Sequence, residues 1–197
     1  MVISESIEPQ PIRYVCMPRP MIVEGALSIE AVQPEHIERI RQWRNAQMDV
    51  LRQNSYISPE QQEAYYAEHI WPETSAPHPR NLLLAYKDEG RLVGYGGLVH
   101  IAWEHRRAEV SFLMDSVLAT AGRVTERYFR AYLSLVKILA FQDLGMHRLC
   151  TETYAFRSMH LAILEASGFQ CEGVLRDHVC IAGRSVNSII HGCLANE

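Results

Sequence analysis

Apolar and polar side chains alternate with period two over residues 108–114. Ala108, Val110, Phe112 and Met114 fall on one side, Glu109 and Ser111 on the other. That is the pattern of a strand with one face packed. A stretch of small residues follows, Ala119, Thr120, Ala121 and Gly122, and residues 126–143 then run without Pro or Gly and read as a helix. Val124, Tyr128, Tyr132, Leu135 and Leu139 make one helical stripe; Phe129, Leu133, Val136 and Ala140 make a second beside it. Two stripes predict a helix buried over much of its girth. Gly145 fits a left-handed cap at its end. A strand that feeds a small-residue turn into a helix start is also an anion site in outline. The first-turn amides lack partners there, and the helix dipole favours negative charge.

The same reading organises the rest of the chain. Residues 1–20 hold Pro9, Pro11, Pro18 and Pro20 and little periodicity, so residues 1–24 read as an irregular arm before a domain at 25–197. Residues 25–32 read as a strand. Pro34 opens a helix at 35–47, with Ile37, Ile40 and Trp43 at helical spacing. Ser58 caps a second helix that runs to about residue 70, with Pro59 at its first position and Gln61 completing a capping box. Residues 81–86 and 91–101 form a hairpin around the turn at 87–90. Gly94, Gly96 and Gly97 in its second arm predict a bulge or a close approach of backbones. A strand at 148–153, a helix at 157–167 with Leu161 and Leu164 inward, and a hairpin of 169–181 with 186–194 complete the chain. The predicted order is β-α-α-β-β-β-α-β-α-β-β, an α/β (α+β) domain.

Composition narrows the function. The chain has 197 residues, 48% of them hydrophobic, enough for one domain with a sizeable core. The net charge of −4 gives no general attraction to nucleic acid or to an anionic membrane. Cys16, Cys150, Cys171, Cys180 and Cys193 are an odd set without paired short spacing. Free thiols, Cys150 and Cys180 buried in strands, fit a reducing cytoplasm. No apolar run approaches about 18 residues, and no basic flank precedes an apolar stretch at the N-terminus, so neither a membrane span nor a secretory signal is expected. Nine histidines invite a metal reading, but HExxH and CxxC spacings are missing and no metal is expected.

The C-terminal half carries a more specific signal. Leu144-Gly145-Met146-His147-Arg148 and then Gly168-Phe169-Gln170-Cys171-Glu172-Gly173-Val174-Leu175-Arg176 resemble the pattern L-G-x-x-R … G-F-x-x-E-G-x-x-R. That pattern marks the branch of GNAT-superfamily N-acetyltransferases that holds ribosomal-protein N-terminal acetyltransferases and bacterial aminosugar N-acetyltransferases. Trp43-Arg44-Asn45 is similar to the same branch, and the element order matches from about residue 26 to 194. The resemblance implies a mixed, twisted sheet of about seven strands and about four helices, splayed between its fourth and fifth strands. Acetyl-CoA would lie in the splay, and a primary amine would attack it directly in a ternary complex. An aminosugar or other small amine stands slightly ahead of a protein N-terminus as acceptor. A non-catalytic acyl-CoA-binding sensor is the rival from another class. The enzyme would be cytoplasmic, a monomer or homodimer.

The resemblance also assigns residues. Pyrophosphate would meet backbone amides of the loop written Q/R-x-x-G-x-G/A. The matching residues run from Val117 to Gly122, and only Gly122 fits: Val117 replaces Gln or Arg, and Thr120 replaces the first Gly. Amides need a conformation rather than a side chain, so Thr120, Ala121, Gly122, Arg123, Val124 and Thr125 remain the expected cofactor cradle. Leu113 and Met114 would border the acyl group, with the Leu113 amide facing the oxyanion. Arg157 stands where many members have Asn, and Leu164 where many have a proton-donating Tyr. A thiolate leaves without much help near neutral pH. An acceptor arriving as ammonium needs a base, and Glu109 is the first candidate, with Glu152 and Tyr154 behind it. His100 and His105 are possible proton carriers. Arg44, Asn45 and Tyr56 are expected on the acceptor side, where Arg44 could meet a carboxylate or phosphate.

Overall fold

The computed structural model describes residues 10–197. Period-two alternation sorts the strand residues onto two faces of one sheet. In strand β3, Leu82, Leu84 and Tyr86 enter the larger core, while Leu83 and Ala85 enter a smaller one on the opposite face. The sheet is built from β1 (Met21–Glu24), β2 (Leu27–Ala31), β3 (Leu82–Asp88), β4 (Arg91–Ala102), β5 (Arg107–Met114), β6 (Arg148–Tyr154), β7 (Gln170–Ile181) and β8 (Arg184–Leu194). Their order is β1-β2-β3-β4-β5-β6-β8-β7. Every neighbouring pair is antiparallel except β5–β6.

Helices α1 (Ile37–Ala46) and α2 (Pro59–Tyr65) cover the smaller core, where Ile40, Trp43 and Tyr66 meet Leu83, Tyr95 and Leu113. The long α3 (Arg123–Lys137) and α4 (Ser158–Ala166) cover the other face. Both stripes of α3 are buried as expected, except that Val124 is 40% exposed and Thr125 is buried in its place. The helix begins earlier than residue 126, so Val124 lies in its first turn. There the Thr125 hydroxyl donates to the Leu118 carbonyl at 2.7 Å. The predicted capping box at Ser58 and Gln61 is present.

Three sequence expectations are corrected. The sheet has eight strands among the described residues rather than about seven, because Met21–Glu24 folds back on Leu27–Ala31 through a turn at Gly25. Residues 10–20 are irregular as expected but pack onto the domain rather than forming a separate arm, and Met21–Glu24 is a strand of the sheet. Tyr14 is 2% exposed and its hydroxyl accepts from the Leu83 amide. Gln33 hydrogen-bonds both backbone groups of Ile12. Residues 1–9 of the expected arm lie outside the described residues. Cys180 is exposed rather than buried, because β7 is an edge strand. Among the described residues no helix is long and apolar enough to cross a membrane.

Candidate active site

The site begins where two strands part. β5 and β6 pair in parallel only at Arg107↔Arg148, Ala108↔Leu149 and Glu109↔Cys150. Beyond them β5 continues alongside β4 to Met114, and β6 alongside β8 to Tyr154. A wedge therefore opens between the expected strands, now numbered fifth and sixth. Phe112 floors one side of it, stacked on Phe129 at 4.6 Å.

Backbone direction along β5 is set by β4. A Cβ on Gly94 would come within 2.9 Å of the Leu113 carbonyl, and one on Gly96 would collide with the Ser111 carbonyl. Residues 111 and 113 thus aim their backbone groups at β4, and the Asp115 amide continues the series by donating to Val93 at 2.9 Å. Alternation leaves the amides of Phe112 and Met114 on the open edge. This corrects the expectation for Leu113: its amide faces β4, and its side chain packs under α1. The predicted close approach at the β4 glycines is present, and the Tyr132 hydroxyl uses the gap at Gly96 to reach the Ser111 carbonyl at 2.8 Å.

Glu109 and Ser111 project to the α1–α2 side. There Glu109, Glu152, Tyr154, Arg44 and Arg157 line one hollow of about 250 Å³. Arg52 bridges the two carboxylates through a single nitrogen, Nη2, at 3.0 Å from Glu109 and 2.7 Å from Glu152. His178 stands 3.6 Å from the other Glu152 oxygen. An adjoining pocket of about 450 Å³ holds Tyr56 and shares Arg44 and Ser111 with the hollow. Asn45 does not line either space. Its carboxamide is spent on Gln53 and on both backbone groups of Ile57, so it shapes the loop behind the wall. His100 is exposed at a bulge of β4 and His105 is exposed in the turn before β5; neither lines the hollow.

A second cleft of about 310 Å³, walled on one side by Ala46, Gln47, Asp49 and Val50, runs past Leu113, Met114, Thr120 and Thr125 to Arg157 and His160. Ala121, Gly122, Arg123 and Val124 are exposed and do not line this cleft. Gly122 is the residue before α3, with φ 54° and ψ −105°. A Cβ there would meet nothing within 4 Å, so the position requires glycine for its backbone angles rather than for space. Of the first amides of α3, that of Val124 is already bonded to Ala121 and that of Glu126 to Gly122.

Arg157 links the two spaces. Burial pushes its pKa down to about 10, and it lies 2.6 Å from the His160 ring nitrogen. Burial first, and then the Arg157 charge, hold His160 down at about 3, so the ring is neutral and accepts from the guanidinium. Among the described residues Arg157 has no carboxylate within ion-pair reach. A half-buried cation that feels Asp49 only at a distance and forms no ion pair suits a ligand bearing anionic or strongly polar oxygens. Sequence reasoning missed Arg52 and His160. Arg52 sits in a stretch without periodicity, whereas His160 is one turn beyond Arg157 and was findable from that spacing.

Residues 29–190 match the family model described as an acetyltransferase (GNAT) domain. Among curated proteins none matches the sequence. Solved structures share the fold. A spermidine N-acetyltransferase from Vibrio cholerae, in complex with CoA and spermine, is 20% identical with a TM-score of 0.75, over 88% of this chain and 98% of that one. A dodecameric form of the Vibrio cholerae enzyme gives 19% and 0.74, over 88% and 96%. No ribosomal-protein or aminosugar branch is singled out by these matches. The domain match and the wedge between β5 and β6 agree: the chain belongs to the GNAT acetyltransferase family, N-acetyltransferases whose acyl donor is acetyl-CoA.

Proposed function

We propose that the chain acetylates the primary amine of a small molecule, with acetyl-CoA in the wedge and the amine over Glu109. The observation that carries this is the shared hollow. Glu109 and Ser111 from β5 and Glu152 and Tyr154 from β6 converge where the strands part. Acetyl-CoA supplies a thioester activated toward amines. Glu109 takes the proton of an incoming ammonium, directly or through water, and frees the lone pair that forms the amide bond. The open-edge amides of Phe112 and Met114 hold the negative charge that builds on the acyl oxygen. Arg157, Thr120 and Thr125 line the donor side; Arg44 and Tyr56 line the acceptor side. Leu164 is buried and supplies no proton, so CoA leaves as its thiolate, with Arg157 as the nearby charge.

A pocket of about 450 Å³ matches a small ligand, which favours an aminosugar or comparable amine over a protein N-terminus. Spermidine, the substrate named for the Vibrio cholerae enzymes, belongs in the same panel of acceptors. The test is turnover of labelled acetyl-CoA across amines, followed by pH–rate profiles of the native protein and Glu109→Gln. Gln keeps the size but takes no proton, so the rate should fall by about 10²–10⁴-fold below the acceptor's own pKa. At higher pH the free amine is abundant and the defect should shrink. Superimposable profiles would remove Glu109 from the chemistry.

A further inference from the structure

The acceptor pocket is asymmetric in charge. Its wall contains a single cation, Arg44, and no carboxylate. The other polar groups of the wall are neutral and include the hydroxyls of Ser55, Tyr56, Tyr65 and Tyr95 and the amide of Gln61. Arg44 is half-buried and is satisfied only by neutral oxygens. Its Nε donates to Gln53 Oε1 at 3.1 Å and its Nη1 to the Tyr95 hydroxyl at 2.8 Å. These two bonds fix the plane of the guanidinium. Among the described residues no hydrogen bond engages Nη2 and no carboxylate pairs with Arg44. The carboxylates lie next door, in the hollow around Glu109 and Glu152, and Arg44 borders both spaces.

We infer that the acceptor carries an oxyanion, a carboxylate or a phosphate, seated on Arg44 while its amine reaches Glu109. The inference rests on the proposed acceptor side and narrows its substrate class. A partly desolvated guanidinium with a fixed plane and no counter-ion is built for a planar or tetrahedral oxyanion. Hydroxyls around it donate to the same oxygens at no cost in charge. A polyamine fits poorly: with one ammonium at Glu109, its next cationic nitrogen enters a pocket whose only charge is positive. Shared fold with the spermidine enzymes therefore does not extend to shared acceptor chemistry.

Matched amine pairs test this. Glucosamine 6-phosphate is compared with glucosamine, and methionine with methioninamide, with spermidine alongside. Initial rates and calorimetric binding to the CoA-saturated protein are both read. At least one acid-bearing amine should exceed its neutral partner by about 10- to 100-fold in kcat/KM or in affinity, the worth of one charge-assisted contact. The preferred pair distinguishes phosphate from carboxylate. Arg44→Met should abolish the preference mainly through KM, and Arg44→Lys should keep part of it. If neither acid-bearing amine outperforms its partner in rate or binding, if spermidine is preferred, or if Arg44→Met keeps the preference, the anion seat is overturned. Should Arg44→Met not fold, the pairs on the native protein and Arg44→Lys decide. Absence of acetyl-CoA binding by the native protein would instead sink the broader proposal, so the two failures are separable.

Discussion

Gly96→Ala places a methyl group where the structure has none to spare. Gly96 lies opposite Phe112 on the paired strands β4 and β5. A Cβ there collides with the Ser111 carbonyl and comes within 2.5 Å of the Tyr132 hydroxyl. Two costs follow. Forcing extra volume between packed groups costs about 1–3 kcal/mol. Displacing the fully buried Tyr132 hydroxyl from the Ser111 carbonyl leaves a donor and an acceptor unpaired, at about 1–3 kcal/mol. The sum, about 2–6 kcal/mol, is a large part of the stability of an ordinary domain. Tyr132→Phe incurs only the second cost. Urea unfolding measures both, as a shift of midpoint at unchanged slope. The double variant Gly96→Ala/Tyr132→Phe should lose less than the sum of the single losses, because the hydroxyl that collides is gone. A Gly96→Ala protein within about 0.5 kcal/mol of the native one, or strict additivity in the double variant, would refute this account of the tether between α3 and β5.

Two further outcomes are expected. Arg157→Met should weaken acetyl-CoA binding by about tenfold or more, the worth of one charge-assisted hydrogen bond; isothermal calorimetry giving an unchanged affinity would take Arg157 out of the donor cleft. His160 should make stability depend on pH. Its folded pKa is about 3 against an ordinary 6.5. The unfolded chain gains the proton first as pH falls, so stability is lost progressively between those two values and not above them. His160→Gln should flatten that part of the urea-midpoint curve, and an unaltered curve would show that the ring titrates normally.

The strand at Arg107–Met114 and the helix after it were legible because their periodicity reports burial directly. The wedge was legible only through the family resemblance. A strand pattern says which face is buried, not where two strands stop pairing. Leu113 was misassigned for a related reason: alternation gives side-chain faces, whereas the edge to which an amide points depends on the partner strand. Tyr14 and Met21–Glu24 were missed because prolines at 9, 11, 18 and 20 suppress periodicity while leaving single anchors such as Tyr14 free to pack. Asn45 has the right type for ligand contact, and only the position of Ile57 shows that its amide is already used. Arg52 reaches Glu109 and Glu152 from 57 and 100 residues away, a separation at which local pattern is silent.

β5 presents its odd residues to α1 and α2 and its even residues to α3 and α4. The acceptor wall is drawn from residues 44–66 and one face of the sheet, while the donor cleft combines residues 46–50 with Phe112 and Met114, the residues before and at the start of α3, and Arg157. Residues 55–66 line the acceptor pocket and not the donor cleft, so changes there can alter which amine is admitted without disturbing how the acyl donor is held, whereas changes at residues 46–50 touch the donor cleft. The mutational paths to a new acceptor are correspondingly short. They run through one contiguous stretch of sequence, and an ancestor could change substrates while remaining an active enzyme at every step.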